Sequence, residues 1–163
     1  MRREFLKAPL RYSHISSRFS EARMHPVLKI IRPHHGIDYA APYGTPVLAI
    51  GDGKIVDMSY DMGSGNMIKI RHNSIYSTSY MHLQKFASGL KTGMEVKQGE
   101  VIAYVGSSGL ATGPHLYFRF YKNGSPVDPL KVDAPPVEPI SEENKGKFEK
   151  IKSVVLSLLG TFN

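Results

Sequence analysis

Between residues 44 and 122, short apolar runs rich in β-branched and aromatic residues alternate with turns of glycine, aspartate and asparagine. In one run Ile68 and Ile70 alternate with basic residues, the period of two that gives a strand one buried face and one wet face. The sequences GDG and GSGN between the runs suit hairpin turns. Most of this region is therefore predicted to be antiparallel sheet, and the fold class to be all-β.

Length and composition limit the chemistry that the chain can carry. Its 163 residues make one domain with its own core. It contains no cysteine, so a bound metal would have His, Asp, Glu or Tyr as ligands. No apolar run of about 18 residues occurs, so no transmembrane segment is expected. The opening MRREFLKAPL lacks the apolar centre of a signal peptide, so no targeting segment is expected either.

The formal net charge of +7 favours a polyanionic partner such as nucleic acid, anionic lipid or an acidic cell-envelope polymer. The lysines and arginines are dispersed, and the sequence contains no basic helix, RNP-like aromatic motif or Cys/His finger. Nucleic-acid binding is therefore not expected.

The composition changes after residue 132. The stretch DAPPVEPI, residues 133–140, has three prolines and predicts a surface connector, because proline cannot continue a helix or an inner strand. Ser141 can cap a following helix whose apolar residues recur at helical spacing. The predicted organisation is a domain over 1–132, a connector over 133–140 and an amphipathic C-terminal α-helix over 141–163 that packs on the domain.

His34 and Asp38 are the first candidate site residues, in the stretch RPHHGID. An extended strand would place both on one face, with His35 and Ile37 facing away. An imidazole and a carboxylate are ligands that zinc accepts. By itself this spacing does not distinguish a metal site from a hydrogen-bonded pair on the surface.

Several further motifs occur in a fixed order. SSRFSEARMHPV is followed by R-x-H-x-G-x-D around His34, by YMHL around His82 and by TGPHL around His115. Together they resemble the lysostaphin-type (LytM-like) zinc endopeptidases of bacterial peptidoglycan over about residues 16–132. The resemblance implies an antiparallel two-sheet sandwich, or barrel-sandwich hybrid, with a groove on one sheet. It also implies one zinc ion and an extracytoplasmic location in the periplasm or cell envelope.

The resemblance implies a role for each matching residue. His34 and Asp38 correspond to the first two zinc ligands. His82 corresponds to the histidine that orients or stabilises the tetrahedral intermediate, and His115 to the general base or its partner. The family's third zinc ligand is the second histidine of H-x-H, and this chain has Tyr117 at that position.

Tyr117 leaves three interpretations open. It can be an unusual zinc ligand in a working enzyme, or it can leave a weakened site with two protein ligands. It can also mark a domain that has lost catalysis and kept its groove to bind wall peptide or to activate another wall hydrolase. A phenol starts near pKa 10, and its oxygen lies farther from the backbone than an imidazole nitrogen. As a ligand it would need the strand to shift; otherwise the phenol would swing aside.

His25, Arg32 and Tyr80 are the predicted substrate contacts, in a groove rimmed by the loops 59–66 and 106–113. The implied substrate is a stem peptide or cross-bridge of peptidoglycan, and the implied reaction is hydrolysis of an amide bond. A repeated glycine–valine unit also suggests a carrier domain of the biotinyl or lipoyl kind. Neither turn of that unit displays the lysine that such carriers modify.

Overall fold

The structure is a computed structural model that describes residues 4–24 and 28–132. These residues form twelve β-strands and one 3₁₀ turn at Pro129–Lys131, without an α-helix. None of them belongs to a helix long and apolar enough to cross a membrane. The predicted connector and C-terminal helix lie outside the described residues, as does His25.

The strands follow one another in the chain with short turns between them. They are β1 His14–Ser17, β2 Ser20–Met24, β3 Ile31–His34, β4 Ile37–Ala40, β5 Pro46–Leu48, β6 Gly53–Asp61, β7 Gly65–Arg71, β8 Tyr76–Phe86, β9 Glu95–Val96, β10 Val101–Val105, β11 His115–Lys122 and β12 Ser125–Val127. Every pairing between them is antiparallel. The predicted all-β class and the sheet over residues 44–122 are confirmed.

One large sheet positions the site. Its strands run in the order β1-β4-β11-β8-β7-β6-β9, with β12 beside β11 and with β10 joining β8 to β5. The strands β2 and β3 form a separate hairpin. Apolar residues of β4 to β8, β10 and β11 share one hydrophobic core. The large sheet thus presents one face to the core and leaves the other for a groove.

Strict alternation along β11 separates these two faces. Leu116, Phe118 and Phe120 are buried in the core. His115 and Tyr117 alternate with them along the strand and point to the opposite face. The same alternation holds in β7, where the isoleucines of the IKI sequence are fully buried. The period of two read from the sequence is therefore a property of the folded sheet.

Strand β8 breaks the alternation at His82. Tyr80 is fully buried in the core, and a regular strand would place His82 on the same side. His82 instead has a left-handed backbone with φ of 60°, which is uncommon for a residue other than glycine. Its N–H donates to the Ser64 carbonyl at 2.8 Å, which holds that conformation. This local irregularity turns the imidazole out of the core and into the groove.

Candidate metal centre and groove

A groove of about 350 Å³ lies on the outer face of the large sheet. It is lined by Ser16, Ser17, Arg23, Arg32, Pro33, His34, Asp38, Gly63, Ser64, His82, Leu110, Thr112, His115, Tyr117 and Arg119. The loops 59–66 and 106–113 both contribute to this lining, as predicted. The groove therefore gathers every described residue that the sequence matched to the family's site.

His34 and Asp38 meet at a corner of the chain. His34 ends β3 and Asp38 lies in β4, so the single extended strand expected for this segment is wrong. The chain bends at His35 and Gly36, and this bend brings His34 Nε2 to 3.1 Å from Asp38 Oδ1. His35 does point away, because its Nε2 contacts Glu21 at 3.0 Å. A bend between the β2–β3 hairpin and the large sheet therefore brings the two side chains together.

The His34 ring is fixed by its second nitrogen. His34 Nδ1 lies 2.9 Å from the Arg18 carbonyl oxygen and can only donate to it. In the neutral ring, Nε2 then carries a lone pair, and that lone pair faces a carboxylate oxygen. Two acceptors at this separation need a positive charge between them, from a proton or a metal ion. The backbone bond to the other nitrogen is the usual way in which a metal-binding imidazole is oriented.

Asp38 is held by two neighbours. The Ser16 hydroxyl donates to its backbone carbonyl at 3.3 Å. Arg23 Nη2 lies 3.5 Å from Asp38 Oδ2, on the side of the carboxylate away from His34. The carboxylate is nearly buried, so this guanidinium offsets part of the cost of removing its charge from water.

His115 and His82 complete a set of imidazoles around the same point. His115 Nδ1 donates to the Gly113 carbonyl at 2.8 Å, and its Nε2 lies 3.8 Å from Asp38 Oδ1. His82 Nδ1 likewise lies 2.8 Å from the Ser108 carbonyl. The two rings are 4.8 Å apart between centroids. Burial, and then the neighbouring His115, lower the pKa of His82, so its ring is neutral at pH 7.

Tyr117 stands at the position of the expected third zinc-binding histidine, but its hydroxyl points toward Arg119 and away from His34 and Asp38. It lies directly opposite Asp38 in the β11–β4 ladder, and its ring stacks on His34 with centroids 4.6 Å apart. Its hydroxyl oxygen accepts a hydrogen bond from Arg119 Nε at 2.8 Å. The guanidinium carbon of Arg119 also lies 4.8 Å from the centre of the phenol ring. The phenol is thus held along the strand, toward Arg119.

Gly36 makes this placement possible. A Cβ atom on Gly36 would come within 2.5 Å of Tyr117 Cε2 and 3.0 Å of Arg119 Cγ. The phenol ring therefore packs on bare backbone at the His34–Asp38 bend. Burial raises the pKa of Tyr117 above its usual 10.0, although the charge of Arg119 works in the opposite direction. At pH 7 the side chain is a neutral phenol.

The donor set fits a zinc ion only with two protein ligands. Zinc bonds of about 2.0–2.1 Å in a tetrahedral shell separate neighbouring ligand atoms by roughly 3.3 Å, close to the 3.1 Å between His34 Nε2 and Asp38 Oδ1. No group of three or more His, Cys, Asp or Glu that could hold a metal ion occurs within residues 4–24 and 28–132. The hydroxyl of Tyr117 is engaged by Arg119. Two donors are in place, and the third position lacks one.

The predicted substrate contacts have different outcomes. Arg32 lines the groove and is exposed. Tyr80 does not line it, and that prediction is wrong, because the ring is fully buried and its hydroxyl is bonded to Thr78 and to the Ile50 N–H. Arg119 was missed, although it follows Tyr117 by two residues in YFRF and so had to share its face.

Known proteins with similar sequences carry names that match this chemistry. The model of Peptidase family M23 matches residues 32–129. The chain is 42% identical over 148 residues to "Peptidoglycan DD-endopeptidase ShyC" of Vibrio cholerae, covering 91% of this chain and 34% of that protein. It is 44% identical over 151 residues to "DD-carboxypeptidase/endopeptidase Mpg" of Neisseria meningitidis, covering 93% of this chain and 34% of that protein.

A solved structure gives the same result for the fold. A zinc-containing peptidase from Vibrio cholerae superposes with a TM-score of 0.75 at 42% identity, over 82% of this chain and 41% of that one. The chain spans about a third of the length of the curated relatives described above. The family match covers more than half of this chain and includes His34, Asp38, His82 and His115. The chain belongs to peptidase family M23.

Proposed function

We propose that this chain is a metal-dependent peptidoglycan endopeptidase domain that hydrolyses an amide bond in a stem peptide or cross-bridge. The observation that carries the proposal is that His34 Nε2 and His115 Nε2 both lie close to Asp38 Oδ1, at 3.1 Å and 3.8 Å, in the groove. The name of the relative ShyC, a peptidoglycan DD-endopeptidase, supports peptidoglycan as the substrate. The whole protein would then work in the cell envelope, outside the cytoplasm.

His34 and Asp38 would hold the zinc ion, with water or substrate filling the remaining positions. Bound there, zinc would polarise the scissile carbonyl and lower the pKa of a water molecule. Arg23 keeps the second oxygen of Asp38 occupied, which directs Oδ1 toward His34. The two-ligand arrangement predicts that zinc binds more weakly than in a site with three protein ligands.

His115 is the proposed general base. Its Nδ1–H is committed to the Gly113 carbonyl, so Nε2 is the free acceptor and faces the centre of the site. It would take a proton from the attacking water and deliver that proton to the leaving amine. His82 has the same tautomer, because its Nδ1 is bonded to Ser108. The neutral His82 ring can only accept a hydrogen bond at Nε2. To stabilise an oxyanion by donating a hydrogen bond, as the resemblance implies, His82 would have to be protonated.

A second candidate is a non-catalytic groove that binds wall peptide or activates another wall hydrolase. The bond between Arg119 and the Tyr117 hydroxyl favours this alternative, because it occupies the side chain that would have to serve as third ligand. This candidate predicts peptide binding that a chelator does not change.

The test is the zinc content of protein purified without added metal, measured together with digestion of purified peptidoglycan. If the domain is an endopeptidase, it should release soluble muropeptides, lose this activity in chelator and recover it when zinc is added back. Protein that digests no peptidoglycan even with added zinc, yet still sediments with it in chelator, would contradict the enzyme and support the binding domain.

A further inference from the structure

His82 is held in its left-handed conformation by two separate loops. Its N–H donates to the Ser64 carbonyl at 2.8 Å, in the loop 59–66. Its ring Nδ1 lies 2.8 Å from the Ser108 carbonyl oxygen, in the loop 106–113. A left-handed backbone at a residue other than glycine persists only where its surroundings fix it. The direction of this imidazole therefore depends on how firmly the two loops are joined to the strands and to each other.

The Ser108 side chain makes that connection. Its hydroxyl donates to the Leu83 carbonyl at 2.7 Å and accepts from the Asn66 N–H at 3.0 Å. Leu83 and Asn66 lie opposite each other in the β8–β7 ladder, at a register shift that ends at Ile68. The hydroxyl thus bridges two neighbouring strands beside His82, and it does so both as a donor and as an acceptor.

Backbone contact brings the two loops together at this point. A Cβ atom on Gly65 would collide with the Ser108 hydroxyl and carbonyl, and one on Gly109 would collide with the backbone of Gly65. The Leu110 N–H also donates to the Gly63 carbonyl, at 3.2 Å. The 2.7 Å bond of the Ser108 hydroxyl is shorter than this one. We therefore expect the hydroxyl to be the main restraint on the loop 106–113 near His82.

We propose that Ser108 is a positioning residue for His82: its hydroxyl fixes the carbonyl that binds His82 Nδ1, and so keeps Nε2 directed to the groove. This inference rests on the proposed function, in which His82 acts on the tetrahedral intermediate through Nε2. Its structural part can be tested without any hydrolysis. Ser108 does not line the groove itself, so it acts through His82 and not on the substrate.

Removing the hydroxyl would leave one backbone N–H without its acceptor. In Ser108→Ala the Leu83 carbonyl keeps its bond from Asn66 Nδ2 at 3.0 Å, whereas the Asn66 N–H has lost its partner. An unpaired N–H away from water is costly, so the loop is expected to move until water or another group reaches it. The Ser108 carbonyl moves with the loop and no longer restricts His82 to one tautomer.

The first test reads the tautomer of His82 in metal-free protein. Long-range proton–nitrogen correlation NMR at about pH 7.5 identifies which nitrogen of the neutral ring carries the proton. The parent protein should hold the proton on Nδ1, and Ser108→Ala should lose part of that form to the Nε2–H form. Ser108→Thr keeps the hydroxyl and should keep the parent tautomer. An unchanged tautomer in Ser108→Ala, or the same change in Ser108→Thr, would overturn the proposal.

Two control variants separate positioning from a general loss of stability. Tyr80→Phe removes a buried hydroxyl from the same strand, one that accepts from the Ile50 N–H. It should lower the urea midpoint at least as much as Ser108→Ala and leave the His82 tautomer unchanged. Ser107→Ala removes the neighbouring hydroxyl, which makes neither of the Ser108 bonds. An equal tautomer change in either control would show that His82 responds to any loosening of the fold, and the assignment to Ser108 would be wrong.

Activity then connects the tautomer to the reaction. With zinc supplied, Ser108→Ala should lower kcat for a soluble muropeptide by about 10–100-fold. Its KM and zinc content should stay within about twofold of the parent protein, because Ser108 does not line the groove that holds the metal donors. A changed tautomer with an unchanged kcat would contradict the positioning role. A parent protein that hydrolyses nothing, together with the tautomer change in Ser108→Ala, would count against the proposed function and leave the structural assignment standing.

Discussion

His115 and Tyr117 are consecutive groove-facing residues of β11, yet their polar atoms point to different places. His115 Nε2 faces Asp38 at 3.8 Å, whereas the Tyr117 hydroxyl is bonded to Arg119 at 2.8 Å. Both residues face the groove from the same strand, β11. Strand position brings a side chain to the site, but a neighbouring bonding partner determines where its polar atom points.

The two partners explain this difference. The Gly113 carbonyl accepts from the far side of the His115 ring and leaves the near nitrogen free. Arg119 is a donor on the far side of Tyr117, and it engages the phenol's own oxygen. The imidazole has two nitrogens and can serve both a support and the site. The phenol has only one polar atom, its hydroxyl oxygen, and this atom is already bonded to Arg119.

Replacing His115 should cause the largest loss of activity. His115→Asn removes the acceptor that faces Asp38, and removal of a general base lowers turnover by about 10²–10⁴-fold. Turnover of a soluble muropeptide measures the loss. His14→Asn is the matched control, because His14 is exposed in β1 and does not line the groove. Less than a tenfold loss in His115→Asn would remove His115 from the proposed mechanism.

Tyr117→His tests the other half of the comparison. An imidazole at this position can use one nitrogen for a hydrogen bond and the other to bind zinc, which would complete a site with three protein ligands. Zinc affinity, measured by competition with a chelator, should rise by about 10–100-fold. Digestion of peptidoglycan at limiting zinc should rise with it. Unchanged zinc affinity would mean that the strand holds residue 117 too far from the metal, whatever its type.

Removing Arg119 should release the phenol. Arg119→Leu deletes the donor of the 2.8 Å bond and the cation stacked on the ring, and should lower the free energy of unfolding by about 1–2 kcal/mol. Urea unfolding of the metal-free protein measures it. Arg71→Leu, an exposed arginine of β7, should lie within about 0.5 kcal/mol of the parent protein. A similar loss in both variants would show that Arg119 contributes only general surface charge.

The stability of the metal-free protein should fall on mild acidification. The pKa of His82 lies below its usual 6.5, because of burial and then because of His115, and burial lowers the pKa of His72 as well. The unfolded chain then binds more protons than the folded chain, so this stability is complete above about pH 6.5 and is lost as the pH falls through the folded pKa values. Urea unfolding between about pH 5.5 and 7.5 measures the slope. His82→Gln should flatten it, and a rise in stability on acidification would contradict the assignment of a buried neutral ring.

The fold could be predicted from the sequence because its signals are local. Alternation in β7 and the glycine turns predicted the strands. The motif order pointed to His34 and Asp38 as candidates, but the bend that brings them within 3.1 Å could not be predicted from it. The error at Tyr80 has a physical reason: the left-handed backbone at His82 lets that imidazole face the groove while Tyr80, two residues earlier, stays buried in the core. A positive φ at a histidine leaves no mark in the sequence.

The role of Arg119 could be predicted only in part. Its spacing from Tyr117 places both side chains on one face of β11. The direction of the phenol also depends on Gly36, which lies between β3 and β4 and packs against the phenol ring. Only the folded chain brings Gly36 under the phenol. The same holds for Arg32, whose lack of a partner in the described residues is a property of the groove and not of its neighbours in sequence.

Tyr117→Phe should have the smallest effect and is the sharpest test of where the phenol points. The ring stack on His34 remains and only the hydroxyl bonded to Arg119 is lost, so the free energy of unfolding should fall by about 1 kcal/mol. Zinc affinity and peptidoglycan digestion should stay within about twofold of the parent protein, since the hydroxyl does not face the metal. Tyr121→Phe is the matched control, because Tyr121 also contacts Arg119 from the same face of β11, farther from Asp38. A tenfold loss of zinc affinity in Tyr117→Phe alone would show that the phenol leaves Arg119 and binds the metal, and residues 115 and 117 would then both point into the site.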